Sequence, residues 1–451
     1  MKFIFFLIIS LYLLQIVNAQ LSPSVRKLFS AVPIEKKLYI YGGFMDNEDP
    51  KVQSNPNDRF FYLDVSSSFD TSNLPWKVTP NNAEELPLGS FSSQASGGLA
   101  ASIGGVNNDT IFFINNEVDN ATKLISPVHS YNSPNNVWNT QNLSGDRPFG
   151  RNQMKVVTDY TGKIYLLTGF DFTFQGATRT NGLFVCDTIK LNCELRDASV
   201  FSRLGYGVTL LPNGNLVYMG GARNNIPDPN GFQIIFIYDT VNNSWNPQIT
   251  TGNIPPPDVG ITTVLGLRGD KIILFGGNNG DNNNIYVLNI TNYEWYVPEV
   301  RGKGPVFKRG EHCANVIGKY MVITFGSNGV TQVKYRANGE SDVLLLDISN
   351  DSEYIWTTSF DPTPLSIDFP SSSSPSSPPS NSNPKTKTGI IIGVTVGIII
   401  FVGILLLGAL FYIKRRKNHK NTKPIPTPGN INNEGVIMIP SGQELSQRII
   451  R

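Results

Sequence analysis

The 451-residue chain predicts an all-β domain built from six copies of one unit, followed by one transmembrane α-helix. A short apolar strand that ends in glycines recurs about 55 residues apart, too regularly for chance. The strands are rich in β-branched and aromatic residues, and turn residues separate them, which argues against βαβ units. A separate run, Gly389 to Ile413, carries 25 residues and no charge.

The chain opens on "MKFIFFLIISLYLLQIVNAQ", with Lys2, an apolar core and small residues at Val17 and Ala19. This is the layout of a secretory signal peptide, so residues 1–19 are expected to be removed. Six copies of one strand follow: "KLYIYGG" (Lys37–Gly43), "TIFFINN" (Thr110–Asn116), "KIYLLTG" (Lys163–Gly169), "NLVYMGG" (Asn215–Gly221), "KIILFGG" (Lys271–Gly277) and "MVITFGS" (Met321–Ser327). Paired glycines let the chain leave a strand at positive φ. In the last copy the pair is read as Gly326-Ser327, and in the second Asn115-Asn116 stand in. Each copy leads to a second apolar strand and then a large residue. Asn132/Trp138, Asp187/Cys193, Asp239/Trp245 and Asn289/Trp295 share one spacing, and a further apolar strand precedes each glycine-ended one.

A unit of this length with a double glycine, a Tyr-Asp-like strand end and a Trp resembles the kelch repeat. The resemblance covers residues 24–360 and implies a six-bladed kelch-type β-propeller within an ectodomain of residues 20–369. The ring would be closed by residues near Ser22–Lys27 or by those after Trp356. The terminal Trp would pack between neighbouring blades, so Trp245→Ala is expected to cost about 3–5 kcal/mol.

After the repeats, "PSSSSPSSPPSNSNP" (Pro370–Pro384) cannot bury a core, and residues 370–388 read as a stalk. Residues 389–413 exceed the ~30 Å hydrocarbon core at 1.5 Å per residue. "KRRKNHK" (Lys414–Lys420) then marks the cytoplasmic side, with residues 414–451 as a short tail. Gly389, Gly393 and Gly397 form overlapping Gly-x-x-x-Gly units that allow a homodimer. Asn-X-Ser/Thr sequons at Asn108, Asn120, Asn142, Asn242, Asn289 and Asn350 all precede the span, as expected of glycosylation outside the cytoplasm. The expected topology is single-pass type I, with the plasma membrane as the first candidate and an endomembrane as the second.

The formal charge is +2 and only 16% of residues are charged, so no basic face recommends a nucleic-acid partner. Cys193 stands where other units carry Trp, and Cys186 lies seven residues earlier. An oxidising compartment favours a disulfide here over two buried thiols, leaving Cys313 as a small hydrophobe. Copper radical oxidases of the galactose oxidase type resemble this architecture and need two histidines, two tyrosines and a cross-linked cysteine. Only His129 and His312 are available in the ectodomain, and each has a structural place in its unit. No catalytic set, cofactor or metal is therefore expected.

Binding is the remaining expectation. In a four-stranded antiparallel unit the loops joining strands 2–3 and 4–1 leave the same face. Phe172, Phe174, Arg179, Arg223, Tyr335 and Arg336 lie in long 2–3 loops and are the types that dominate interfaces. A protein or glycan partner is expected there. A membrane-tethered carbohydrate-active enzyme and a structural wall or adhesion component are the rival expectations.

Overall fold

The computed structural model describes residues 21–45, 58–80, 100–114, 128–146, 155–167, 182–198, 203–223, 226–279, 285–327 and 334–363. The chain divides into Met1–Asp368 and Phe369–Arg451, and every described residue belongs to the first. Residues 1–19, the stalk, residues 389–413 with Gly389, Gly393 and Gly397, and the tail lie outside the described residues. Among the described residues, the one helix is Lys334–Ala337 and no helix is long and apolar enough to cross a membrane.

Six antiparallel sheets form a closed ring, a six-bladed β-propeller. Blades 1 to 6 occupy residues 30–78, 100–141, 156–197, 207–249, 262–296 and 313–357. In blade 5 the strands run Thr262–Leu265, Lys271–Phe275, Tyr286–Asn289 and Glu294–Tyr296 from the centre outward. The innermost strands of neighbouring blades touch, and that of blade 6 touches that of blade 1. Second strands are buried on both faces because a blade lies on either side, which explains their unbroken apolar runs. The core is accordingly six wedges, one in each gap between blades.

The six-residue spacing from Asp/Asn to Trp is a turn requirement. The side-chain oxygen at the end of strand 3 accepts a backbone N–H two or three residues on: Ile189 on Asp187, Val241 on Asp239, Thr291 on Asn289. Two residues before the Trp position the chain turns at positive φ, at Asn136, Leu191, Asn243 and Tyr293. The outer residue then points back at the preceding blade. Trp295 is 1% exposed among Val217, Met219 and Ile235 of blade 4, and its Nε1–H donates to the Phe232 carbonyl (3.2 Å). Trp245 makes the same approach to blade 3 but is only half-buried, with Nε1–H on the Asp197 carbonyl (3.2 Å). The full cost expected for a buried Trp belongs to Trp295, and Trp245 carries a fraction of it.

The strand of blade 6 is Tyr320–Thr324, one residue earlier than read from the sequence. Phe325 (φ +46°) and Gly326 (φ +97°) take the place of the glycine pair, in place of Gly326-Ser327. A bulky residue at positive φ costs about 1–2 kcal/mol. The Phe325 ring offsets that by filling the gap between blades 6 and 1, stacked on Trp76 at 5.4 Å and edge-on to Phe29 at 5.5 Å.

Neither Arg26–Lys27 nor Ser359–Phe360 completes a blade. Each blade draws its four strands from its own segment, and these two flanking strands latch the joint between blades 6 and 1 instead. Ser359–Phe360 pairs with Phe69–Asp70, an excursion of blade 1, and the Phe69 and Phe360 rings stack at 4.8 Å. Arg26–Lys27 pairs with Phe44–Met45, and the Gly326 N–H donates to the Arg26 carbonyl (3.0 Å).

Blades 3, 5 and 6 also gain a parallel fifth strand from the preceding crossover: Ser144–Gly145, Thr251–Gly252 and Glu299–Arg301. These segments cover outer edges that would otherwise invite pairing. At Gly252 (φ +79°) an added methyl would overlap the Trp295 carbonyl oxygen, so the cover fits only as glycine. The sequences "SGDRP", "TGNIP" and "RGKGP" share a Gly-x-x-Pro pattern at these three crossovers.

Candidate recognition face

The face bearing the 2–3 and 4–1 loops is organised by a repeated device. An arginine four residues before the innermost strand turns inward beneath the 2–3 loop of its blade. Arg26, Arg203 and Arg309 are 0%, 3% and 0% exposed. Each donates through Nη1 to the first carbonyl of the glycine-pair position: Gly42 (3.0 Å), Gly220 (3.1 Å) and Phe325 (3.1 Å). Each also pairs with an acid of the 2–3 loop: Asp58 (2.5 Å), Asp228 (2.5 Å) and Glu340 (3.2 Å). Burial pulls the Arg203 guanidinium down to about 10, and its neighbour Asp228 offsets part of that. Planar, weakly hydrated guanidinium suits this buried, two-sided role better than an ammonium.

Blade 5 inverts the device. Asp258 occupies the corresponding position before Thr262 and accepts the Asn278 and Asn279 N–H groups at 2.8 and 2.9 Å. These anchors were missed in the sequence. A charged residue four places before the first strand of blades 1, 4, 5 and 6, as in "SVR", "FSR" and "FKR", is the signal that finds them.

The predicted contact residues fare differently. Arg223 is half-exposed and ion-paired with Asp228 (3.0 Å) beside Arg203. Tyr335 does not offer the contact area expected of it. It is 2% exposed, its hydroxyl donates to Asp342 (2.9 Å), and the Arg309 guanidinium lies 3.6 Å over its ring. Arg336 forks onto both Asp342 oxygens (2.7 and 2.5 Å) and donates to the Pro23 carbonyl (2.6 Å), so it ties the N-terminal segment to blade 6. Phe172, Phe174 and Arg179 lie outside the described residues.

At the rim of this face, where blade 6 meets blade 1, a cleft of about 990 Å³ opens. Leu21, Leu74, Trp76, Phe307 and Trp356 supply apolar wall, and Arg336 and Glu340 supply charge. A concave, mostly apolar wall with a few placed polar groups is the usual form of a ligand site.

The two histidines do not meet. His129 lies in strand 3 of blade 2 with Nδ1 on Thr140 Oγ1 (3.1 Å), and His312 lies before strand 1 of blade 6 with Nε2 on Thr262 Oγ1 (2.5 Å). Among the described residues no group of three His, Cys, Asp or Glu is placed to hold a metal. Cys186 and Cys193 face each other across blade 3 and are joined by a disulfide, while Cys313 is free, its Sγ–H on the Phe29 carbonyl (3.2 Å). Of the sequons, Asn108, Asn242, Asn289 and Asn350 stand at 1–2 or 3–4 turns, on the opposite face, and Asn142 follows the outer strand of blade 2. Asn120 lies outside the described residues.

A six-bladed ring of this connectivity, with its long 2–3 loops gathered on one face, is a β-propeller. Its second half carries a kelch-repeat family match. Residues 205–368, blades 4 to 6, match the KLHDC2/KLHL20/DRC7 Kelch-repeats domain. A Rho GTPase-activating protein, gacHH, of Dictyostelium discoideum is 31% identical over 150 residues, 33% of this chain and 10% of that protein. Human host cell factor 1 is 26% identical over 225 residues, 45% of this chain and 11% of the other. A kelch repeat-containing protein of Arthroderma benhamiae is 22% identical over 356 residues, 65% of this chain and 51% of that one. The chain thus spans about a tenth of the first two relatives and half of the third. The solved structure of YjhT superposes with a TM-score of 0.49 at 14% identity, over 74% of this chain and 98% of that one.

Proposed function

We propose that this is a single-pass type I membrane protein whose kelch propeller binds a protein partner outside the cytoplasm through the 2–3/4–1 face. The arginine–carboxylate anchors carry this reading. A loop that only has to connect two strands needs no buried charge pair beneath it, and burying one is costly unless it fixes a conformation. Loops held in place lose less entropy when a partner docks, which favours affinity. The matched region is only about a tenth of the Rho GTPase-activating protein and of host cell factor 1, as suits a module within a larger protein. The signal-like leader, the uncharged 25-residue run and the one-sided sequons support the topology.

The test is proximity labelling from the ectodomain side, comparing the intact chain with one carrying Glu340→Ala and a shortened Ala222–Gly231 loop. A small recurring partner set that disappears with the altered loops supports the reading. A partner set unchanged by both alterations overturns it, and labelling confined to cytoplasmic proteins overturns the topology.

A further inference from the structure

Blade 3 is the one blade whose outer position holds Cys193 rather than Trp, and its junction with blade 2 differs accordingly. Between blades 4 and 5 the Trp295 indole fills the outer part of the gap. Between blades 2 and 3 the disulfide lies in the buried core, and beside it, walled by Phe112, Thr188 and Leu191, runs a groove of about 490 Å³. Its floor, on the blade 2 side, is amide and hydroxyl: Ser130, Asn132, Asn139 and Gln141, with Gln141 Nε2–H on Ser130 Oγ (2.5 Å). Its rim is apolar. Val106 is 77%, Val137 44% and Ile189 49% exposed.

One sequon is built into the wall of this groove. Gly105, Val106 and Thr110 all line it, and Asn108 sits between them, exposed at φ +52° with its N–H on the Gly105 carbonyl (3.3 Å). Thr110 Oγ1, the sequon hydroxyl, accepts from Asn132 of the floor (3.1 Å). Amides answer the hydroxyls and acetamido groups of a glycan, and an apolar rim answers its C–H faces and acetamido methyls. A polar space of this size is unsuited to a dry apolar plug.

We propose that the N-linked oligosaccharide on Asn108 lies in this groove, its first sugars resting on the amide floor between the apolar rims of blades 2 and 3. The inference rests on the secretory topology proposed above, which puts Asn108 where glycosylation occurs. Asn242 and Asn350, also exposed but on turns away from this groove, provide internal references.

The experiment is time-resolved release of glycans by a peptide N-glycosidase from the folded full chain, read site by site as glycopeptides. Asn108 is expected to lose its glycan about tenfold more slowly than Asn242 and Asn350, the factor that two net hydrogen bonds supply. Asn139→Ala with Gln141→Ala should bring Asn108 up to the reference rate while circular dichroism stays unchanged. Equal rates in the parent chain, or an unglycosylated Asn108 beside occupied Asn242 and Asn350, overturn this inference alone. A chain with no sequon occupied overturns the topology as well.

Discussion

Trp295 and Trp245 occupy the same position in consecutive blades and differ in depth, so they give an internal measure of what the outer indole contributes. Trp295→Ala removes a fully buried side chain, a class of change that costs about 3–5 kcal/mol. Its Nε1–H bond adds little to that, because the Phe232 carbonyl keeps the Thr250 hydroxyl as a partner at 2.7 Å. Trp245 is half-buried, and its truncation should cost about 1.5–2.5 kcal/mol, scaling with the smaller apolar area that its indole keeps from water. Urea titration of the full chain in detergent, followed by far-ultraviolet circular dichroism, should show a midpoint shift for Trp295→Ala about twice that for Trp245→Ala at unchanged slope. Equal shifts would mean that position in the repeat, and not depth, sets the contribution, and would refute the argument from burial.

Gly252→Ala should cost about 2–4 kcal/mol, because positive φ and overlap with the Trp295 carbonyl act together, whereas Gly318→Ala, at φ +59° with open space around it, should cost about 1. Melting temperatures of the two variants check this. Glu340→Ala leaves Arg309 buried without its acid and should cost about 3–5 kcal/mol, with hydrogen exchange rising across residues 334–342. Burial, then the nearby charges of Lys155 and Arg309, holds the His312 imidazole well below its ordinary 6.5. The unfolded chain therefore binds the proton more readily, so stability is full above pH 6.5 and declines as pH falls below it. His129, pushed the same way by burial, adds to the trend, and His312→Asn should flatten the melting-temperature profile between pH 7.5 and 5 without abolishing it.

The ring was legible because its requirements are local. Strand, glycine pair, turn acid and indole all fall within one repeat, and the spacing from Asp239 to Trp245 states a turn geometry outright. Depth was not legible, since whether an indole is covered depends on the blade before it, as Trp245 and Trp295 show. Phe325 misled the register because a phenylalanine at positive φ reads as strand, and only the packing of the blade 6–blade 1 joint explains it. On the recognition face, residue type alone favoured Tyr335 and Arg336, yet both are spent on Asp342. The residues that organise the face, Arg26, Arg203 and Arg309, precede their blades and meet their acids across 32, 25 and 31 positions, distances that no local pattern records.

The latch between the segment after blade 6 and the excursion of blade 1 has a mechanical consequence. Whatever pulls on the chain beyond Thr363 loads Ser359–Phe360 first, and through it the short pairing with Phe69–Asp70. That pairing is tied by the Thr71 N–H on the Thr358 carbonyl (2.8 Å), by the Thr358 hydroxyl on Asp70 (2.8 Å) and by the Ser341 hydroxyl on the Thr71 carbonyl (2.7 Å). Tension is thereby shared between the last blade and the first, and the ring is held shut at the one place where no covalent link closes it.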